Sequence, residues 1–266
     1  ARRESNDLPA QEQNLEKIWF ESPGGHETTD RHHFVLRGPD ARHQLIVTGQ
    51  NTSGPLCDLG RSVKYQVSPE GLLQIDETGL VTPLAEGEAT VTAIGPEGLT
   101  IEATIAVEHF ENPPVVNFPN QVVPIFTKLH CNGGGCHGKS GGQNGFRLSL
   151  LGFEPQEDFE WLLNEARGRR LFPAVPENSL ILLKATNTVP HGGGQRLKAG
   201  SHDYRVLRRW IMQGMTYGHP DDPALVRIQV LPEHRTVSRG AEQQICVMAY
   251  YSDGSLEDVT HTATYE

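Results

Sequence analysis

Residues 43–66, HQLIVTGQNTSGPLCDLGRSVKYQ, align without a gap on residues 243–266, QQICVMAYYSDGSLEDVTHTATYE. The offset is 200 residues, and Gln44, Val47, Gly54, Asp58 and Tyr65 meet Gln244, Val247, Gly254, Asp258 and Tyr265. Both copies read as an alternating strand, a turn at Ser-Gly or Asp-Gly, and a second strand. An internal repeat of this kind obliges two distant parts of the chain to adopt the same β unit. After the first copy come short β-rich runs, LVTPL, ATVTAI and TIEATIAV, broken by Gly and Pro. That spacing suits an all-β sandwich. The second copy reaches Glu266 halfway through such a unit. Half a sandwich leaves an apolar face and open strand edges. The expectation is therefore a piece of a longer protein, or a face completed by another chain or by the preceding domains.

Between the copies the pattern changes. HFENPPVVNFPNQ and YGHPDDPA are rich in Pro and polar residues, as linkers are. Inside them the periodicity becomes helical. VVPIFTKLH sets Val122, Ile125, Phe126 and Leu129 on one face. EPQEDFEWLLNEARGRR opens at Pro155 with acids and closes with arginines. PENSLILLKAT reads as a short helix. SHDYRVLRRWIMQG has Ser201 as N-cap, a Leu207, Trp210, Ile211 face and Gly214 as stop. A mainly helical unit of about 100 residues is expected between two β domains.

The formal net charge of the 266-residue chain is -10, which argues against a nucleic-acid binder. Residues 115–220 run the other way, with twelve Lys and Arg against seven Asp and Glu. A basic middle between acidic flanks suits an anionic cofactor, and equally suits ordinary surface scatter. No run of 18 apolar residues occurs, so no membrane-spanning helix is expected.

The middle unit carries CNGGGCHG, with Cys131, Cys136 and His137. In a c-type haem site two thiols add across the vinyl groups and the next histidine ligates iron. Here four residues separate the cysteines instead of two, and three are glycines, which permit unusual backbone angles. Two rivals use the same residues: a Cys2His2 zinc site with His137 and His191, and a plain Cys131–Cys136 disulfide. A second axial ligand for a haem would come from His191, from Met212 or Met215, or from His130. Cys57 and Cys246 lie in the two β repeats at non-equivalent positions, and a disulfide between them would clamp those repeats together.

Two resemblances sharpen these readings. The pattern D-x-x-G-x-V-T-P-L-x-x-G-x-A-T-V-T-A, within residues 30–108, resembles the bacterial immunoglobulin-like domain, group 2. Over residues 115–216, CNGGGCHGKSGGQNGFRLSLLGFEP, EARGRR, SLILLKAT, VPHGGGQR and LRRWI resemble the planctomycete-type cytochrome c domain in its Cys-x4-Cys-His form. Together they imply a multidomain α+β chain. Its order is a polar extension (1–29), an immunoglobulin-like β-sandwich (30–112), a mainly α, class I-like cytochrome c domain (113–220) and the incomplete start of a second immunoglobulin-like sandwich (221–266). The resemblance implies one haem c held by Cys131 and Cys136, with His137 as proximal ligand. Pro190-His191-Gly192 stands where ordinary class I cytochromes c carry a Met-Pro ligand loop, so bis-histidine ligation by His137 and His191 is expected. Arg196, and Arg167, Arg169 and Arg170 of EARGRR, are candidates for the propionates. Phe126, Leu129, Phe146 and Trp210 are candidates for the cavity wall.

The function implied is electron transfer in a larger exported protein, periplasmic or extracellular, with a redox partner protein and no catalysis of its own. Two alternatives are a haem enzyme or sensor with a displaceable ligand, and a module binding carbohydrate or a cell-surface component.

Overall fold

The computed structural model describes residues 15–23, 32–52 and 54–265. The first part supplies β1 (Leu15–Phe20), β2 (His32–Arg37), β3 (His43–Gln44), β4 (Val47–Asn51) and β5 (Leu56–Asp58). It continues with β6 (Lys64–Ser68), β7 (Leu73–Ile75), β8 (Leu80–Pro83), β9 (Gly87–Ile94) and β10 (Thr100–Glu108). These make three small sheets, in the orders β1-β4-β5, β2-β10-β9-β6 and β3-β8-β7. Strand alternation turns Ala103, Ile105 and Val107 of β10 inward, beside Ala89, Val91 and Ala93 of β9. The antiparallel register sets Ile105 against Ala89 and Val91 against Ala103, so large faces small. On its other side β10 pairs in parallel with β2. All three sheets share one core that includes Phe20, Leu36, Val47 and Val81.

The polar extension expected over 1–29 is corrected at its end. Residues 15–20 form β1, paired with β4, and Leu15 and Phe20 enter the core. Residues 1–14 and 24–31 lie outside the described residues.

The sequence repeat is a structural repeat. β11 (Leu225–Leu231), β12 (Cys246–Tyr251) and β13 (Leu256–Asp258) form a sheet in the order β11-β12-β13. It copies β1-β4-β5 down to a register shift at Leu15/Lys17 and again at Leu225/Arg227. Leu59 N–H donates to Val47 O and Val259 N–H to Val247 O, each at 2.8 Å. Tyr65 and Tyr265 hydroxyls donate to Gly60 O and Thr260 O. The two copies also bind each other reciprocally. Gln44 N–H donates to Asp258 Oδ2 and Gln244 N–H to Asp58 Oδ2, both at 2.5 Å. Ile46 is buried with Leu231, Cys246 and Met248 at this contact. Cys57 and Cys246 are free thiols, so no disulfide clamps the repeats.

The middle of the chain departs from expectation. Its helices are α1 (Val123–Lys128), α2 (Pro155–Asn164), α3 (Leu180–Ala185) and α4 (His202–Met212). They are few and short, and the molecule is mostly β-strands in four small sheets. The anticipated α+β arrangement, with a mainly α, class I-like cytochrome c domain between immunoglobulin-like sandwiches, is therefore overturned. The physical reason lies in the joints. His130 takes φ 58° just past α1, and Ala166 and Arg167 take φ 54° and 62° just past α2. Between α1 and α2 the glycine-rich segment runs as turns, since each glycine costs about 1 kcal/mol in a helix. The apolar periodicity marked real helical faces, but only about two turns of α1 and α3 and about three of α2 and α4.

These short helices and loops still enclose a second core, including Phe118, Ile125, Leu162, Leu182 and Ile211. Ser201 caps α4 by accepting Tyr204 N–H at 3.3 Å, and Gly214 at φ 94° ends it. Asp40 ties α4 to the first β unit through Arg209 Nε at 2.8 Å and Arg205 Nε at 3.4 Å. Lys128 donates to His261 O in the second repeat.

Candidate functional site

α1 ends at a tight corner. Cys131 N–H donates to Phe126 O at 2.8 Å, with His130 in the left-handed region before it. The chain then folds back on itself: His137 N–H donates to Cys131 O and Gly138 N–H to Gly133 O. This loop brings Cys131, Cys136 and His137 to one side of a cavity of 560 Å³. The three glycines of the spacer keep ordinary negative φ, so the expected need for unusual backbone angles is not met there. The glycine that the loop requires is Gly138, where a Cβ would stand 1.9 Å from Asn132 O. Gly138→Ala is expected to cost about 1–3 kcal/mol through that clash. The midpoint of denaturant unfolding checks it, with Gly135→Ala, whose Cβ meets open space, as the neutral control.

His191 reaches the same cavity from the loop between α3 and α4. The His137 and His191 rings face each other with planes 7° apart and centroids 6.3 Å apart. Each ring is oriented by a backbone carbonyl: His137 Nδ1 by Phe146 O at 2.9 Å, His191 Nδ1 by Gly194 O at 2.8 Å. A carbonyl accepts only, so both Nδ1 atoms carry a proton, and Nε2 is the atom that each ring in its neutral form offers as an acceptor. Burial, above all, lowers the His137 pKa, which favours that neutral form. Burial pushes the Cys131 thiol up to about 11, with Cys136 adding to the effect.

The cavity wall is apolar at Phe126, Leu129 and Phe146 and cationic at Arg169, Arg170, Lys184 and Arg196. No Asp or Glu is among its lining residues. Its volume lies within the range of about 300–1,000 Å³ usual for ligand and cofactor sites.

Several expected residues fall elsewhere. Trp210 is a core residue, 1% exposed, with its indole N–H donated to Thr216 O, because α4 turns that face onto Phe118. Arg167 does not line the cavity, since its left-handed backbone carries it past the end of α2. Arg170 lines the cavity, but its guanidinium is already engaged by Trp161 O, Glu165 and Gly145 O and lies over Phe146. Arg196 has only its Nε engaged, by Gly193 O at 2.9 Å. Neither methionine of α4 and its end reaches the cavity: Met212 is 55% exposed and Met215 packs on the core. His130 is exposed and points outside the lining set. Arg169, one of the EARGRR arginines expected near the propionates, lines the cavity, and so does Lys184, which motif reading did not single out, although the local basic excess is its trace in the sequence.

The donors do not close on a small ion. No three of Cys131, Cys136, His137 and His191 bring ligand atoms within 4.8 Å of one another. Cys131 and Cys136 are free thiols, which removes the disulfide reading in this structure.

No protein-family model matches the chain. No curated protein matches it either. Among solved structures, the crystal structure of the S-layer protein SbsC domains 4 and 5 is similar at 15% identity with a TM-score of 0.27. That match covers 35% of this chain and 52% of the S-layer chain, and at such a score it carries no argument about the site. Among the described residues no helix is long and apolar enough to cross a membrane.

Proposed function

We propose that this protein is a one-electron transfer module holding a single covalent haem in the cavity between α1 and the His191 loop. The observation that carries the reading is the facing pair His137 and His191, parallel and 6.3 Å apart between centroids, beside two free thiols. Both imidazoles line the cavity that the two thiols also line, which is the donor set a covalent haem would need. The carbonyl behind each Nδ1 is the outer-shell partner that ligating histidines typically have. The scaffold for this haem is a loop-rich one with short helices, not a class I helical fold.

Cys131 and Cys136 would hold the group covalently, through thioethers to its vinyl substituents. His137 and His191 would hold the iron through their Nε2 atoms. Arg196, aided by Arg169 and Lys184, offers positive charge to the anionic propionates at the wall. Phe126, Leu129 and Phe146 exclude water from the ring. When bound, the haem supplies a reversible one-electron couple, lower in potential than with a methionine ligand. With both histidines engaged the group would supply electron transfer and no substrate position, which favours a carrier over an enzyme. Covalent haem attachment supports an exported protein, periplasmic or extracellular, with a redox protein as its partner. The resemblance to planctomycete-type cytochrome c sequences supports the same reading through its Cys-x4-Cys-His motif.

The test is a visible spectrum of protein made with haem-attachment machinery present, oxidised and reduced, then repeated after denaturation and acid-acetone extraction. Sharp reduced bands should stay with the polypeptide, and Cys131→Ala/Cys136→Ala should release all of the colour. A colourless wild-type chain overturns the reading.

A further inference from the structure

The reciprocal contact between the two repeats has two equivalent corners, and they are not chemically alike. At the first, Asp58 Oδ2 accepts Gln244 N–H, Gln243 Nε2 donates to the same oxygen at 3.3 Å, and the residue at the position matching Cys246 is Ile46, buried with Leu231, Cys246 and Met248. At the second, Asp258 Oδ2 accepts Gln44 N–H, and the positions matching Gln243 and Ile46 hold His43 and Cys246. His43 Nδ1 lies 3.5 Å and Cys246 Sγ 3.4 Å from that one carboxylate oxygen. The three ligand atoms all lie within 4.8 Å of one another. His43 is 5% and Cys246 1% exposed, and the Asp258 side chain 2%.

We propose that His43, Cys246 and Asp258 form a buried structural site for a thiophilic divalent cation, zinc being the best match, that pins the second repeat to the first. Zinc bonds of about 2.0–2.3 Å in a tetrahedron set ligand–ligand separations of about 3.3–3.7 Å. The two separations measured to Asp258 Oδ2 fall in that range before any ion is bound. One nitrogen, one sulfur and one oxygen form a donor set zinc accepts. Met248 Sδ, 3.5 Å from Cys246 Sγ, makes this side of the cluster sulfur-rich, which disfavours magnesium and calcium. A dication with one thiolate, one carboxylate and a neutral imidazole sums to zero charge, which is what a buried site demands. The ligands come from both repeats, His43 from β3 and the others from β12 and β13, so binding couples to their docking. The other corner is the control built into the chain: there, Gln and Ile make the same contact by a hydrogen bond and apolar packing.

The site is independent of the haem reading, and its test separates the two. The 266-residue chain, purified as expressed, is saturated with zinc, desalted, and its zinc content and melting temperature are measured with and without EDTA. One zinc per chain should be retained, and EDTA should lower the melting temperature. His43→Gln/Cys246→Ile, which installs the first corner's residues at the second, should retain no zinc and lose its response to EDTA. Cys131→Ala/Cys136→Ala should keep the zinc. A wild-type chain that binds no zinc and melts identically with and without EDTA overturns the proposal, as does zinc that disappears with Cys131 and Cys136. If the double variant does not fold, the stoichiometry and EDTA response of the wild type and of the Cys131/Cys136 variant still decide it.

Discussion

In the haem-loaded form proposed above, His191→Ala is expected to turn a low-spin centre into a high-spin one that takes up carbon monoxide rapidly and has a higher potential. His191 and His137 line one cavity, each held by a carbonyl on Nδ1. Among the lining residues no third imidazole and no thioether stands ready to replace His191. Loss of this ligand therefore leaves an open position, and with it access to peroxide-dependent activity. His130→Ala and Met215→Ala should leave the spectrum unchanged, since neither side chain lines the cavity. Optical spectra of both oxidation states and a potentiometric titration read the result. A low-spin spectrum that survives in His191→Ala would exclude His191 as the ligand.

Glu21→Ala is expected to destabilise the chain by about 3–5 kcal/mol, the usual cost of stripping the partner from a buried charge. Arg235 from the second repeat reaches across to the first, where its Nη2 donates to Glu21 Oε1 and Thr48 Oγ1, both at 2.8 Å. Thr48 in turn donates to Glu21 at 2.6 Å, closing the triad. Both charged side chains are largely out of water, and Arg235 Nε and Nη1 are buried without a hydrogen-bond partner. The guanidinium is thus only partly compensated even with Glu21 present. Removing Glu21 strands the whole charge, whereas Arg235→Met removes both the charge and its unmet donors. Arg235→Met should therefore cost clearly less, and Glu21→Leu/Arg235→Met should recover most of the Glu21→Ala loss. Denaturant midpoints and a double-mutant cycle measure this. Equal, additive losses would show that the pair carries no mutual dependence.

The repeat at offset 200 was legible to the residue. Strand periodicity, the Ser-Gly and Asp-Gly turns, and the Asp58/Asp258 and Tyr65/Tyr265 matches all return as the same hydrogen bonds in both copies. Local chemistry of that sort acts over a few residues, so a linear chain displays it fully. The end of α4 was legible for the same reason, since Ser201 and Gly214 act through their immediate neighbours. The extent of helix in the middle was not. Apolar periodicity reports which face is buried, not how far a helix runs before His130, Ala166 or Arg167 turns left-handed.

The motif Cys131, Cys136, His137 is a property of the sequence alone. That His191 stands 6.3 Å from His137, while Trp210 faces the core and Arg170 is engaged by carbonyls, depended on how four short helices and their loops pack. The reciprocal docking of the two repeats belongs wholly to the tertiary structure. Its contacts join residues some 200 positions apart, such as Gln44 and Asp258, and no local propensity selects them. What selects them is the burial of Ile46, Leu231 and Cys246 against one another, together with the need to satisfy the backbone N–H groups enclosed with them.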